Sequence, residues 1–272
     1  MSTRPADLDA VLATLVDGVR DVLGERLAGV HLVGSWALGC ADEWSDVDVV
    51  VVTDGRADET QVAGLTDLHT RLHGLGGWGA HLEVGYAPLS DLRSPMTLGR
   101  RWWYVDHGST VVEESDHDNT AHARWVLRER GVALHGPPAR DVVAEVTPEA
   151  LRAEALGDAR ARAERLEDDP SAYQDAWFQP HCVLTSCRVL FTATRAEVTG
   201  KLAAARWALE TLTGPDVRHR PLVERAVADR PHPWERVGRP ADPALVAPTR
   251  AFVWDVVRLA GTAALEARPP GT

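Results

Sequence analysis

The stretch Gly34-Ser35-Trp36-Ala37-Leu38-Gly39-Cys40-Ala41-Asp42-Glu43-Trp44-Ser45-Asp46-Val47-Asp48-Val49-Val50-Val51-Val52 decides the fold. It reads as the end of a strand, a tight Gly-Ser turn, a short helical excursion and a strand that opens with two aspartates. Side chains alternate along a strand, so Asp46 and Asp48 share one face while Val47, Val49 and Val51 supply the other. Aspartate is depleted in strands, and two carboxylates on one face repel each other in water. A divalent cation reverses that repulsion, and an all-oxygen donor set suits Mg²⁺, which takes its remaining ligands from water and substrate phosphates. Gly34 lets the backbone approach a ligand closely. Ser35 adds a hydroxyl beside the free N–H groups of a helix start. A phosphate-cradling turn followed by an Asp-x-Asp strand is a site for phosphoryl or nucleotidyl transfer.

Working outward, Leu8, Val11, Leu12, Leu15, Val19, Val22 and Leu23 recur at helical spacing between Asp7 and Gly24. Gly29 to Val33 is a short buried strand leading into the Gly-Ser turn. Thr60 to His73 reads as a helix covering the sheet, and His81 to Tyr86 as a third strand. Glu83 sits in the middle of that strand. If it shares a face with the aspartates it completes a cluster of carboxylates; otherwise it is a solvent-facing residue of a half-buried strand. Trp102 to His107 is a further strand or extended edge, and Trp102 and Trp103 are candidates to stack on a substrate ring or to pack internally. Asp116 or Asp118 caps a turn before a helix that ends at Gly131, and a metal cluster with Asp106, His107 and His117 is the weaker alternative.

Acidic residues outnumber basic ones 40 to 29 and the formal net charge is -11. That balance argues against a nucleic-acid partner, which needs a basic stripe, and suits a small cationic one. Cys40, Cys182 and Cys187 form no CxxC pair, so neither a disulfide framework nor a zinc site is expected. Neither a signal peptide nor a membrane span is apparent, and a cytoplasmic monomer is the expectation.

From Thr147 the pattern is helical only, over about 148–166, 171–194, 201–212, 221–228 and 243–267. The expected organisation is therefore a catalytic domain over 1–146, a helical domain over 147–267 and a disordered tail over 268–272. The fold class is α+β: an N-terminal mixed sheet followed by an all-helical bundle. Lys201 is the only lysine of the chain and follows Thr199-Gly200 at a helix start. Its compact charge suits a triphosphate, and the helix N-terminus adds to it. Arg188, one helix earlier, is a second phosphate candidate or a structural ion-pair partner.

Gly-Ser followed at this spacing by Asp46-Val47-Asp48-Val49 resembles the nucleotidyltransferase superfamily of polymerase-β type. Three further segments narrow the resemblance. Val132-Ala133-Leu134-His135-Gly136-Pro137, Val183-Leu184-Thr185-Ser186-Cys187-Arg188, and Thr199-Gly200-Lys201 with Ala204-Ala205-Arg206-Trp207-Ala208 resemble runs of the aminoglycoside 3''/9-O-adenylyltransferases, in the same order. The resemblance implies two domains handling ATP and a hydroxylated antibiotic of the spectinomycin or streptomycin type. It implies that Asp46 and Asp48 hold two Mg²⁺ ions, that Glu83 is the catalytic base, and that Lys201 serves the nucleotide. Phe178, Gln179 and Pro180 stand where streptomycin-modifying members carry acidic residues, and Asp175 lies about one turn earlier as a candidate substitute. The acceptor is not legible, and adenylylation of a protein partner by the same fold is the alternative.

Overall fold

The computed structural model describes residues 4–231 and 233–266. The expected tail at 268–272 lies outside the described residues. The chain divides into two compact units, Met1–Val146 and Thr147–Thr272. The first carries a mixed six-stranded sheet and the second is helical, the fold class expected above.

In the first unit, α1 (Ala6–Leu23) leads into β1 (Leu27–Leu32), the short α2 (Gly34–Ala37) and β2 (Val47–Thr53). Then come α3 (Glu59–Gly74), β3 (Leu82–Pro88), α4 (Leu89–Leu92) and β4 (Trp102–Val105). The unit closes with β5 (Glu113–Ser115), α5 (Ala121–Arg130) and β6 (Val132–His135). The strand order is β5-β4-β3-β2-β1-β6. Only β2 and β3 run parallel. Their crossover is α3, started by a capping box between Asp58 and Gln61.

One face of the sheet is apolar. Val47, Val49 and Val51 of β2, with Val84 and Tyr86 of β3, pack against Leu8, Leu12, Leu15 and Val19 of α1 and Leu65, Leu68 and Leu72 of α3. Burying a Val or Leu side chain contributes about 1.5–3 kcal/mol. This face therefore carries the stability of the unit. The opposite face carries Asp48 and Glu83 at one end and the buried Val50, Val52 and Ala87 further along.

One polar group does sit in that core. His69, 2% exposed, meets the Tyr86 hydroxyl at 2.6 Å. Burial pushes its pKa down to about 4. The unfolded chain binds this proton near pH 6.5, whereas the folded chain refuses it until about pH 4. Stability is therefore lost as pH falls across that window, by up to about 3 kcal/mol. The melting temperature of His69→Gln should fall less than that of the wild type between pH 7 and pH 4.5; an equal fall would show that His69 does not titrate this way.

The second unit contains α6 (Pro148–Asp168), α7 (Phe178–Arg195), α8 (Lys201–Thr211), α9 (Arg220–Ala228) and α10 (Val246–Glu266). Thr147 caps α6 by accepting the Ala150 N–H at 3.2 Å, with Pro148 at the first helical position. Ala155, Ala159, Ala205 and Ala208 let the helices approach closely around Leu184, Leu190, Val223 and Phe252. The continuous helix expected from 171 to 194 is broken. A 3-10 turn, Pro170–Gln174, comes first, and α7 begins only at Phe178. No helix among the described residues is long and apolar enough to cross a membrane.

Candidate active site

The parallel register pairs Asp48 of β2 directly with Glu83 of β3. Both project from the face opposite the valine core, because Val47, Val49 and Val84 occupy the alternate positions. Asp46 lies one residue before β2. One ligand oxygen from each of Asp46, Asp48 and Glu83 falls within 4.8 Å of the others. This is an all-carboxylate set of hard donors that fits a divalent cation such as Mg²⁺.

The Gly-Ser turn abuts the cluster. The Val33 N–H donates to the Asp48 carbonyl at 2.9 Å, which ties the end of β1 to β2 just before α2. Gly34 has φ +57°, and a Cβ there would lie 1.8 Å from Asp48 Oδ2. The glycine is required twice, for its left-handed backbone and for the space that the Asp48 carboxylate fills. Ser35 is half-buried in the first turn of α2.

Glu83 is 9% exposed. Burial works against its charge, but hydrogen bonds from His117 and Tyr104 and the nearby His107 outweigh it and hold the carboxyl below its ordinary range. The reciprocal effect raises His117 to about 9, chiefly through its hydrogen bond to Glu83. Asp118 is raised to about 7 by burial, with Glu83 adding to the rise. Glu83, His117 and Asp118 form a second group of three ligand atoms within 4.8 Å.

The placement of Asp116 and Asp118 corrects the turn reading. Thr120 caps α5, accepting the Ala123 N–H at 3.1 Å. Asp118 instead packs under Gly85, where a Cβ would lie 2.3 Å from its Oδ2. His117, Asp118 and Tyr104 were not singled out as partners of Glu83, because only the strand pairing brings them to it.

The three expected substrate contacts each have partners within their own unit. Trp102 is 2% exposed and its indole N–H donates to Asp91 at 3.1 Å. Trp103 donates to the Ala57 carbonyl at 3.0 Å and carries the Arg56 guanidinium 4.6 Å above its ring. Asp175 is tied to backbone: Oδ1 accepts the N–H groups of Trp177 and Phe178, and Oδ2 accepts that of Gly238 at 2.8 Å. Both oxygens of Asp175 thus accept backbone N–H groups.

The helical unit has its own concentration of charge. His181 is driven down to about 2 by burial and then by Lys201, Arg162, Arg188 and Arg230. Four cations therefore act on one half-buried imidazole, which stacks on Trp177 at 4.8 Å. Arg188 projects from α7, and Lys201 opens α8 immediately after Gly200. Arg162 and Arg230 carry no sequence signal of their own; they are two of many arginines.

Residues 141–236 match the profile of the aminoglycoside adenylyltransferase C-terminal domain. Residues 14–95 match the nucleotidyltransferase domain. The two matches join a nucleotidyltransferase domain to an aminoglycoside adenylyltransferase C-terminal domain in one chain. Among curated relatives, it is 24% identical over 204 residues to a spectinomycin 9-adenylyltransferase of Staphylococcus aureus, covering 71% of this chain and 75% of that protein. It is 27% identical over 232 residues to an aminoglycoside (3'') (9) adenylyltransferase of Escherichia coli, covering 81% and 84%. A crystal structure of a spectinomycin adenyltransferase from Enterococcus faecialis with ATP and spectinomycin superposes with a TM-score of 0.66. That match has 13% identity and covers 93% of this chain and 99% of that one. At that identity the likeness speaks for the fold.

Proposed function

We propose that this protein transfers AMP from ATP to a hydroxyl of a small aminoglycoside or aminocyclitol, of the kind named for its relatives. The observation that carries this reading is the Asp46–Asp48–Glu83 cluster beside the Gly34-Ser35 turn. Asp46 and Asp48 would hold Mg²⁺, with Glu83 at the edge of the same set. Bound there, Mg²⁺ would neutralise charge on the phosphate oxygens. The turn offers backbone N–H groups to the triphosphate. Glu83, kept ionised, accepts the proton of the acceptor hydroxyl. The freed oxygen attacks the α-phosphorus in line, and pyrophosphate leaves. With no covalent intermediate to form, the contribution of these residues is positioning and electrostatics.

Lys201 and Arg188 are assigned to the triphosphate. Lys201 and Arg188 both lower the His181 pKa, after burial and together with Arg162 and Arg230, which supports a local positive field that suits a polyanion. Lys201→Ala is expected to weaken ATP binding by roughly tenfold or more, the scale of a lost charge-assisted contact, with a smaller effect on the acceptor. Titration calorimetry with ATP reads this directly, and an unchanged dissociation constant returns Lys201 to a structural role.

The whole reading is tested by pyrophosphate release from ATP and Mg²⁺ against a panel of aminoglycosides and aminocyclitols. Release that depends on one acceptor supports it. No release with any member, from protein that binds ATP, counts against it.

A further inference from the structure

Two side chains that nucleotidyl transfer does not require by type converge on Glu83. Tyr104 pairs with Gly85 across β3 and β4, so it projects from the same sheet face as Glu83, one pair further along. Its hydroxyl donates to Asp106 at 3.1 Å, and it acts on the Glu83 carboxylate beside it. His117 is a separate donor to Glu83, with Nε2 at 3.3 Å from Oε1. Its ring lies 5.4 Å from that of Tyr104.

The turn that carries His117 is clamped. The Ser115 hydroxyl accepts the His117 N–H at 3.2 Å. The Asn119 N–H donates to the Asp116 carbonyl at 2.9 Å. Asn119 is itself fully buried. Its Nδ2 donates to the carbonyls of Thr97 and Arg100, both at 2.8 Å. Its Oδ1 accepts from Arg124 Nε at 2.8 Å. Gly85 leaves room for the neighbouring Asp118.

The result is an imidazole with 63% of its side chain exposed, held by a fixed backbone against a carboxylate that is 11% exposed. Such a pair contributes little to stability, because water screens it. What it can supply is orientation. A glutamate has three rotatable side-chain bonds, and a reacting oxygen displaced by about 1 Å can cost about 10²-fold in rate.

We propose that His117, backed by Tyr104, is a positioning residue for Glu83. It holds Oε1, so that Oε2 is the oxygen presented to the acceptor hydroxyl. The proposal rests on the assignment of Glu83 as the base.

The test is steady-state kinetics on His117→Ala, His117→Gln and Glu83→Gln, and on the double variant His117→Ala/Glu83→Gln, each checked by thermal melting. His117→Ala should lower kcat roughly 10- to 100-fold, the usual effect of removing an outer hydrogen bond to a reacting group. KM for ATP and the melting temperature should stay near wild type. His117→Gln keeps an N–H at comparable reach and should restore most of kcat. In the Glu83→Gln background, loss of His117 should have no further effect. If Glu83→Gln fails but His117→Ala turns over like wild type, or if the two losses multiply, the positioning role is overturned and the base assignment survives. If Glu83→Gln itself retains full turnover, both are overturned.

Discussion

Glu83→Gln is expected to lower turnover by roughly two to four orders of magnitude, the usual scale for a lost general base, while ATP still binds. The substitution keeps the length and shape of the side chain and removes its ability to take a proton. The position is nine-tenths buried and its neighbours favour the charged form, so the wild-type carboxylate is ionised before any acceptor arrives. The fold should not suffer, because the stabilising contacts of β3 are made by Val84 and Tyr86 on the other face. Loss of ATP binding with turnover intact at saturation would make Glu83 a nucleotide ligand and move the base elsewhere.

Gly34→Ala is the second large effect. A methyl group at this position would meet Asp48 Oδ2 at 1.8 Å, its Cγ at 2.5 Å and its Cβ at 2.9 Å. Movement of the carboxylate tip cannot relieve a collision with the Cβ, so the whole Asp48 side chain has to shift. The left-handed backbone adds about 1–2 kcal/mol of strain for any residue with a Cβ. Turnover should fall by about 10²-fold or more, because the donor beside the phosphate turn is displaced, and Mg²⁺ should no longer promote ATP binding. Gly39 provides the control. It has a similar φ of +69°, but a methyl group there would meet nothing within 4 Å. Gly39→Ala should therefore show the strain in its melting temperature without the loss of turnover. Equal activity of the two variants would contradict the space-filling argument.

The acidic face of β2 was legible because strand alternation is strict: valines at every second position leave the aspartates on the remaining face. Glu83 was legible as an acid in an apolar strand. Its direct pairing with Asp48 was not, because the register of a parallel pair is set across a long crossover and leaves no local mark. The edge strands β5 and β6 were missed for a related reason. Glu113-Glu114-Ser115 is short and exposed, and Val132 to His135 is half-exposed, so neither shows a buried stripe. Asp175 was a candidate substitute for the acidic positions missing at 178–180. Its backbone contacts depend on where α7 starts, which Pro170–Gln174 shifts by a 3-10 turn. His117 and Asp118 depend on β4, β5 and the gap at Gly85, and a single spacing rule cannot combine three elements.

Mass spectrometry of spectinomycin and streptomycin, each incubated with ATP, Mg²⁺ and either wild-type protein or Glu83→Gln, tests whether Glu83 and its neighbouring aspartates move AMP onto a small-molecule hydroxyl. At least one antibiotic should gain one adenylyl group with the wild type, chelating Mg²⁺ should prevent it, and Glu83→Gln should yield almost none. Adenylyl label found on a polypeptide while both antibiotics stay unmodified, or equal product from Glu83→Gln, would contradict it.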